Sequence, residues 1–238
     1  MRRGKRILVV IPARGGSKGI LQKNITPVAG RPLISYTTEF LAELPWVDMA
    51  VVSTNDTDIA AEALRARTAE IVWRPEELSG DRVGDMPVLA HALSESEATS
   101  GKRCDVVVML QPTSPLRTAS DVEECVETLL EGAWDSVWTV SETNLSYHPT
   151  KQVKLSPEGV LDFYLELGPQ IIARQQLEPS FHRNGVCYAF TADFVRTSQS
   201  VFSPGKSTAQ VTPGHHVSID TPDDILAVER ALHQRTHR

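Results

Sequence analysis

Short apolar runs recur along this chain at intervals that leave room for about one helix between each pair: Ile7–Ile11, Met49–Ser53, Ile71–Trp73, Cys104–Leu110 and Ser136–Val140. A strand covered by helices on both faces reads as such a run, because neither face meets water. The stretches between them carry helix signals. Arg31-Pro32-Leu33 places proline in a first turn, with Leu33, Tyr36, Thr37, Phe40, Leu41 and Leu44 on one face and Pro45 as the stop. Asp56–Asp58 lead into Ile59, Ala63 and Leu64, a further helix is predicted from about Pro87 to Ser96, and Ser120-Asp121-Val122-Glu123 has capping-box spacing for a helix through Leu130. This alternation predicts an α/β fold, a Rossmann-like and mostly parallel sheet with right-handed crossovers and helices on both faces.

The alternation breaks between Ser141 and His182. There Val153 and Leu155, then Val160 and Phe163, flank the turn sequence Ser156-Pro157-Glu158-Gly159 and predict a hairpin in a small inserted lobe, residues 141–182. Cys187–Phe190 returns to strand character, and Thr221-Pro222-Asp223-Asp224 opens a last helix with Ile225, Val228 and Leu232 on one face. At 238 residues the chain suits one α/β domain, 1–238, carrying that lobe.

Composition excludes several classes of function. A net charge of -6 argues against a nucleic-acid binder, and no run approaches the roughly 20 apolar residues of a membrane span. The basic start Met1–Arg6 imitates a signal peptide, but its apolar run stops at Pro12. Cys104, Cys125 and Cys187 are odd in number and widely spaced, which points to a reducing compartment, the cytoplasm. The histidines show neither metal-ligand nor triad spacing.

Chemistry concentrates after the first run, at Arg14-Gly15-Gly16-Ser17-Lys18-Gly19, followed by Lys23-Asn24. Glycines can adopt positive φ and bring backbone N–H groups close to an anion, while Arg14, Lys18 and Lys23 supply positive charge, so a polyphosphate is the natural guest. The loop is neither a Walker loop, since Ser17 precedes Lys18 and Gly19 follows it, nor a GxGxxG fingerprint.

Ile11-Pro12-Ala13 through Gly19 with Lys23-Asn24 closely resembles the nucleotide-binding signature of the CMP-sialic acid synthetase (acylneuraminate cytidylyltransferase) family. Ser53-Thr54-Asn55-Asp56, Arg74-Pro75-Glu76-Glu77-Leu78, Leu110-Gln111-Pro112-Thr113-Ser114-Pro115-Leu116-Arg117, Arg174-Gln175-Gln176, Asn184-Gly185 with Tyr188, and Ile219-Asp220-Thr221 resemble that family's motifs in the family's order, from about residue 7 to 232. The resemblance implies transfer of CMP from CTP to an acidic acceptor with release of pyrophosphate. It implies Arg14, Lys18 and Asp220 as catalytic residues, and Ala13, Arg14, Gly15, Gly16, Ser17, Lys18, Lys23, Asn24, Arg74 and Asp85 around the nucleotide. It further implies Gln111, Lys151, Arg174, Tyr188 and Phe202 around the acceptor, with Mg²⁺ on Asp220. The lobe resembles the family's dimerisation lobe, which crosses to the partner subunit and helps complete its acceptor site, so a homodimer is expected.

Two positions depart from the pattern. The family's Asp-x-Asp pair reads Ser218-Ile219-Asp220 here, leaving one carboxylate for the metal, with Ser218 or a water it holds as the replacement. Asp85 stands where relatives tend to carry Ser near the triphosphate, either as a compensating metal ligand or as an outward-turned surface carboxylate. The primary reading of the acceptor is a sialic-acid-like nonulosonic acid. A divergent member acting on a small phosphonate and a catalytically silent nucleotide-binding protein are the alternatives.

Overall fold

In a computed structural model, which describes residues 1–16, 19–214 and 216–236 (the last in backbone only), the first apolar run is the centre of the molecule. Strand β1 (Ile7–Pro12) is followed by a two-residue hairpin of β2 (Pro27–Val28) and β3 (Arg31–Pro32), then by helix α1 (Leu33–Phe40). Next come β4 (Met49–Thr54), α2 (Thr57–Leu64), β5 (Glu70–Trp73), α3 (Asp85–Ser100), β6 (Val106–Met109), α4 (Ala119–Glu131) and β7 (Ser136–Glu142). The final third holds β8 (Val153–Leu155), β9 (Leu161–Phe163), β10 (Phe181–Thr191), α5 (Ala192–Thr197), β11 (Ser207–Val211) and α6 (Pro222–Thr236). The main sheet has seven strands in the order β11-β7-β10-β6-β1-β4-β5.

The period of two along β1 explains why it sits in the middle. Ile7, Val9 and Ile11 face α1, α2 and α4 through Ile34, Phe40, Ile59, Val122 and Val126, while Leu8 and Val10 face α3 and α5 through Met86, Leu89, Leu93 and Val195. Ile7 through Ile11 are all fully buried, so each contributes about 1.5–3 kcal/mol of burial. Pairing is parallel for β1 with β4 and β6, for β4 with β5 and for β7 with β11, whereas β10 runs antiparallel to both β6 and β7. The sheet is therefore mixed and mostly parallel, as the alternation predicts. The chain leaves β1 toward β4 and β5, then returns to lay β6 on the other side of β1. This reversal opens a crevice at the strands' carboxyl ends, where open α/β sheets take ligands.

Four features differ from the sequence reading. Strand β10 spans eleven residues, not only Cys187–Phe190, and α5 and β11 were not anticipated. Helix α3 starts two residues before Pro87 and runs four beyond Ser96, because proline is tolerated in a first turn. The α4 capping box is built by Thr118 and Asp121, not by Ser120 and Glu123: Thr118 Oγ1 accepts from Asp121 N, and Thr118 N donates to Asp121 Oδ2 at 2.9 Å. Between β7 and β10, residues 143–180 carry short single-turn helices and the β8–β9 hairpin, closed by Ser156 N donating to Val160 O and by Gly159 at φ +85°, so the ends of the expected 141–182 segment belong to the two strands.

The cap can be checked by denaturant unfolding. Thr118→Ala is expected to lose about 1 kcal/mol, while Ser120→Ala changes stability by no more than about 0.5 kcal/mol; the reverse order would restore the box read from the sequence.

Candidate active site

A cavity of about 620 Å³ opens at the carboxyl ends of β1, β5 and β6, lined among others by Arg14, Gly19, Lys23, Asn24, Arg74, Asp85, Gln111, Ser218 and Asp220. Residues more than two hundred apart in sequence, such as Arg14 and Asp220, meet there because each follows the end of a central strand or, for Ser218 and Asp220, precedes α6.

The β1 loop is braced from three sides. Asn24 is buried, and its Nδ2 donates to Arg14 O at 3.0 Å. Gly15 N donates to Asn55 Oδ1 at 3.0 Å, which ties the loop to the end of β4. Arg14 Nη1 donates to Ser79 O and reaches Asp81 Oδ1 at 2.8 Å. Positive φ does not explain Gly15 and Gly16, since neither adopts it. Close approach accounts for Gly15 and Gly19: a Cβ on Gly15 would stand 2.6 Å from Asp56 Oδ2, and one on Gly19 only 2.8 Å from the backbone oxygen of Asp220. Ala13 also departs from expectation, being fully buried with its N–H given to Ser53 O, so neither its methyl nor its amide faces the cavity. Ser17 and Lys18 lie outside the described residues.

Opposite the loop, Lys23 Nζ donates to Ile219 O at 3.0 Å and to Asp220 Oδ1 at 2.8 Å, joining the nucleotide-side cation to the carboxylate expected to hold metal. Asp220 remains largely exposed. Asp224 caps α6 by accepting from Asp220 N, Thr221 N and Thr221 Oγ1, which fixes this segment against the cavity. Arg74 is buried under the floor, its Nε and Nη2 held by Ser53 Oγ and Ser53 O. Burial, with Arg14 nearby, lowers its pKa to about 10, so it stays charged at neutral pH.

Asp85 is the first residue of α3, a position that favours an acid. It does not turn outward: it is half-buried and lines the same cavity as Asp220. Its carboxyl accepts no hydrogen bond from a described residue, and burial raises its pKa against the opposing pull of Arg183 and Arg74. Among the described residues no three His, Cys, Asp or Glu side chains come together in a metal cluster.

The acceptor side is shaped by an irregularity. The β7–β10 register shifts between Arg183 and Tyr188, and the strand there is held by side chains: Arg117 Nε to Val186 O, Ser114 Oγ to Asn184 O, and Thr139 Oγ1 between Cys187 N and O. Gly185, at φ +70°, lies so close to Gln111 that a Cβ would come within 2.9 Å of Gln111 Oε1. Tyr188 is buried with its ring 6.0 Å from that of Trp138, and Phe202 packs on the other edge of Trp138 at 6.1 Å while staying half exposed. Lys151 and Arg174 do not join this group within one chain; both are exposed on the lobe. Sequence reasoning missed Arg183 and Trp138, which no motif spacing marks, and it placed Asn55 in a motif without its bracing role.

A family model described as cytidylyltransferase matches residues 8–223. The chain belongs to the cytidylyltransferase family. CMP-N,N'-diacetyllegionaminic acid synthase of Legionella pneumophila is 31% identical over 235 residues, covering 95% of this chain and 96% of that protein. Pseudaminic acid cytidylyltransferase of Campylobacter jejuni is 27% identical over 92% of each. N-acylneuraminate cytidylyltransferase of Streptococcus agalactiae is 28% identical over 93% of this chain, which spans about half (52%) of that protein's length. Among solved structures, a CMP:2-keto-3-deoxy-manno-octonic acid synthetase complexed with CTP superposes with a TM-score of 0.69 at 16% identity, over 97% of this chain and 99% of that one. That likeness shows the fold.

The raised pKa of Asp85 has a stability consequence. In the unfolded chain it ionises in the ordinary aspartate range; folded, it holds its proton to higher pH, so its ionisation opposes folding above that point. Asp85→Asn is therefore expected to melt higher than wild type at pH 7.5, by a few degrees at most, with the gain vanishing below about pH 4. Equal melting temperatures across that range would contradict the burial argument.

Proposed function

We propose that this chain is a CTP-dependent cytidylyltransferase that transfers CMP to a hydroxyl of a nonulosonic acid of the sialic, legionaminic or pseudaminic type and releases pyrophosphate. The observation that carries the reading is the convergence of Arg14, Lys23, Asn24, Arg74, Gln111 and Asp220 on one crevice at the sheet's carboxyl edge, in a chain matched over its length by relatives named for that chemistry. Phosphonate transfer and silent nucleotide binding draw no support from these relatives.

The triphosphate would lie against the β1 loop, with Arg14 exchanging Asp81, and Lys23 exchanging Asp220, for phosphate oxygens. Arg74 would lie toward the base and Gln111, with both donor and acceptor atoms, toward the acceptor hydroxyls. The acceptor hydroxyl oxygen attacks the α-phosphorus in line and gives up its proton to solvent or to the departing pyrophosphate, the bond from that phosphorus to pyrophosphate breaks, and fixed cations stabilise the charge that develops. A Mg²⁺ ion fits the donor set: Asp220 is exposed with Ser218 on the same wall, and Mg²⁺ commonly uses one or two carboxylates with substrate phosphates completing its oxygen shell. Such an ion supplies Lewis-acid stabilisation of phosphoryl oxygens.

A homodimer belongs to the same proposal. Leu155, Val160, Leu161, Tyr164 and Ile172 are exposed on the lobe, the last at 92%, and such apolar surface calls for a partner; Lys151 and Arg174 stand on the same lobe. The buried free thiols Cys104, Cys125 and Cys187 support a reducing, cytoplasmic setting.

The deciding experiment is pyrophosphate release with CTP and Mg²⁺ against N-acetylneuraminic, N,N'-diacetyllegionaminic and pseudaminic acids. Release with at least one is expected, and no release with any would reject the reading. Sedimentation equilibrium is expected to give twice the 26.2 kDa chain mass, and Leu161→Glu to shift it toward one; a wild-type monomer would remove the dimer.

A further inference from the structure

Arg183 is a cation with no assigned task, held in an unusual way. It lies on β10 at the edge of the register shift, exposed, with its guanidinium carbon 5.6 Å from the centre of the Trp138 ring. It makes no ion pair or side-chain hydrogen bond with any described residue. An indole beneath a guanidinium engages its flat face and leaves the N–H fork at its edge free, the arrangement that receives a carboxylate through two parallel hydrogen bonds.

Its surroundings say which anion. Gln111 on the cavity wall closely approaches Gly185, two residues from Arg183 along the same strand, so β10 runs past the cavity wall next to the position of Arg183. Arg183 is also the strongest charged influence on both Asp85, which lines the cavity, and Tyr188, which packs on the same Trp138. A triphosphate carries too much negative charge to lie comfortably between Asp85 and Arg183. One carboxylate with a hydroxyl donor next to it suits them both: the guanidinium takes the acid, and the carboxylate of Asp85 accepts from the hydroxyl.

We propose that Arg183 anchors the acceptor's carboxylate from within the same subunit and that Asp85 accepts a hydrogen bond from the hydroxyl on the adjacent carbon. This rests on the cytidylyltransferase reading above. It assigns the carboxylate to β10 instead of to Arg174 on the lobe, and it gives Asp85 a task that a serine at that position could not perform with a full charge. Trp138, Tyr188 and Phe202 form the apolar wall beside the anchor.

The test pairs a change in the protein with a change in the ligand. Whichever of the three acids is the best acceptor is assayed beside its methyl ester with wild type, Arg183→Ala, Arg183→Lys and Arg174→Ala. Wild type is expected to prefer the acid. Arg183→Ala should raise the acid's KM by about 10- to 100-fold, leave the KM for CTP and the melting temperature near wild type, and erase the preference over the ester. Arg183→Lys should recover part of that preference, and Arg174→Ala should keep it. An unchanged acid KM in Arg183→Ala, or loss of the preference in Arg174→Ala but not in Arg183→Ala, overturns the assignment while leaving the cytidylyltransferase reading standing. Absence of pyrophosphate release by wild type with all three acids takes both down.

Discussion

Arg117 is a buried cation with no carboxylate in ion-pair contact among the described residues, and the walls of the crevice hang from it. Its donors are spent on oxygens from three elements: Val186 O in β10, Thr37 Oγ1 in α1, and Gln111 O at the end of β6. A buried guanidinium is costly unless its N–H groups are satisfied, so these contacts hold one another in place. Desolvation brings its pKa down to about 10, which still leaves it charged. The prolines around it have no N–H to give, and the side chain supplies the order that a regular element would otherwise provide. Gln111 is thereby fixed against Gly185, and the irregular part of β10 against the end of β6.

The charges around the β1 loop follow a second rule, that each cation at the cavity rim is held by a nearby acid. Arg14 reaches Asp81, and Lys23 reaches Asp220. These pairs are partly exposed, so each contributes little to stability. Their effect is on geometry, because two long side chains stay at the rim of the cavity instead of folding into solvent. The same contacts join the strand-end loops to the segment before α6, which is why Lys23 and Asp220, far apart in sequence, line one cavity.

Much of the architecture was legible because it depends on period. The apolar runs became β1, β4, β5, β6 and β7, and the Ser156–Gly159 turn closes the hairpin it predicts. What escaped depends on partners. Strand β11 alternates weakly, with Ser207, Thr208 and Gln210 at an edge where only one side is paired, and no local pattern reveals that β10 runs against both neighbours. The loop glycines were recognisable as a site, but their cause was not: Gly15 and Gly19 are demanded by Asp56 and Asp220, whose approach exists only in the folded chain. Ala13 shows the converse, a residue inside a motif whose position in the core leaves it no contact with the crevice.

Bonded and unbonded charges also fall unevenly across the crevice. The wall made by β1, β4 and β5 keeps Arg14, Lys23, Asn24 and Arg74, each locked by bonds to backbone or to a neighbouring acid. The unbonded charges of Asp85 and Arg183 face the other wall, where an aromatic cluster and a register shift loosen the regular ladder. A group locked by several partners cannot change without unsettling the fold, whereas a charge that touches only an aromatic face or open space can change at little structural expense. Charges on the β10 side can therefore be exchanged with less disturbance of the fold than those beside β1, and the two sides remain joined through Arg117.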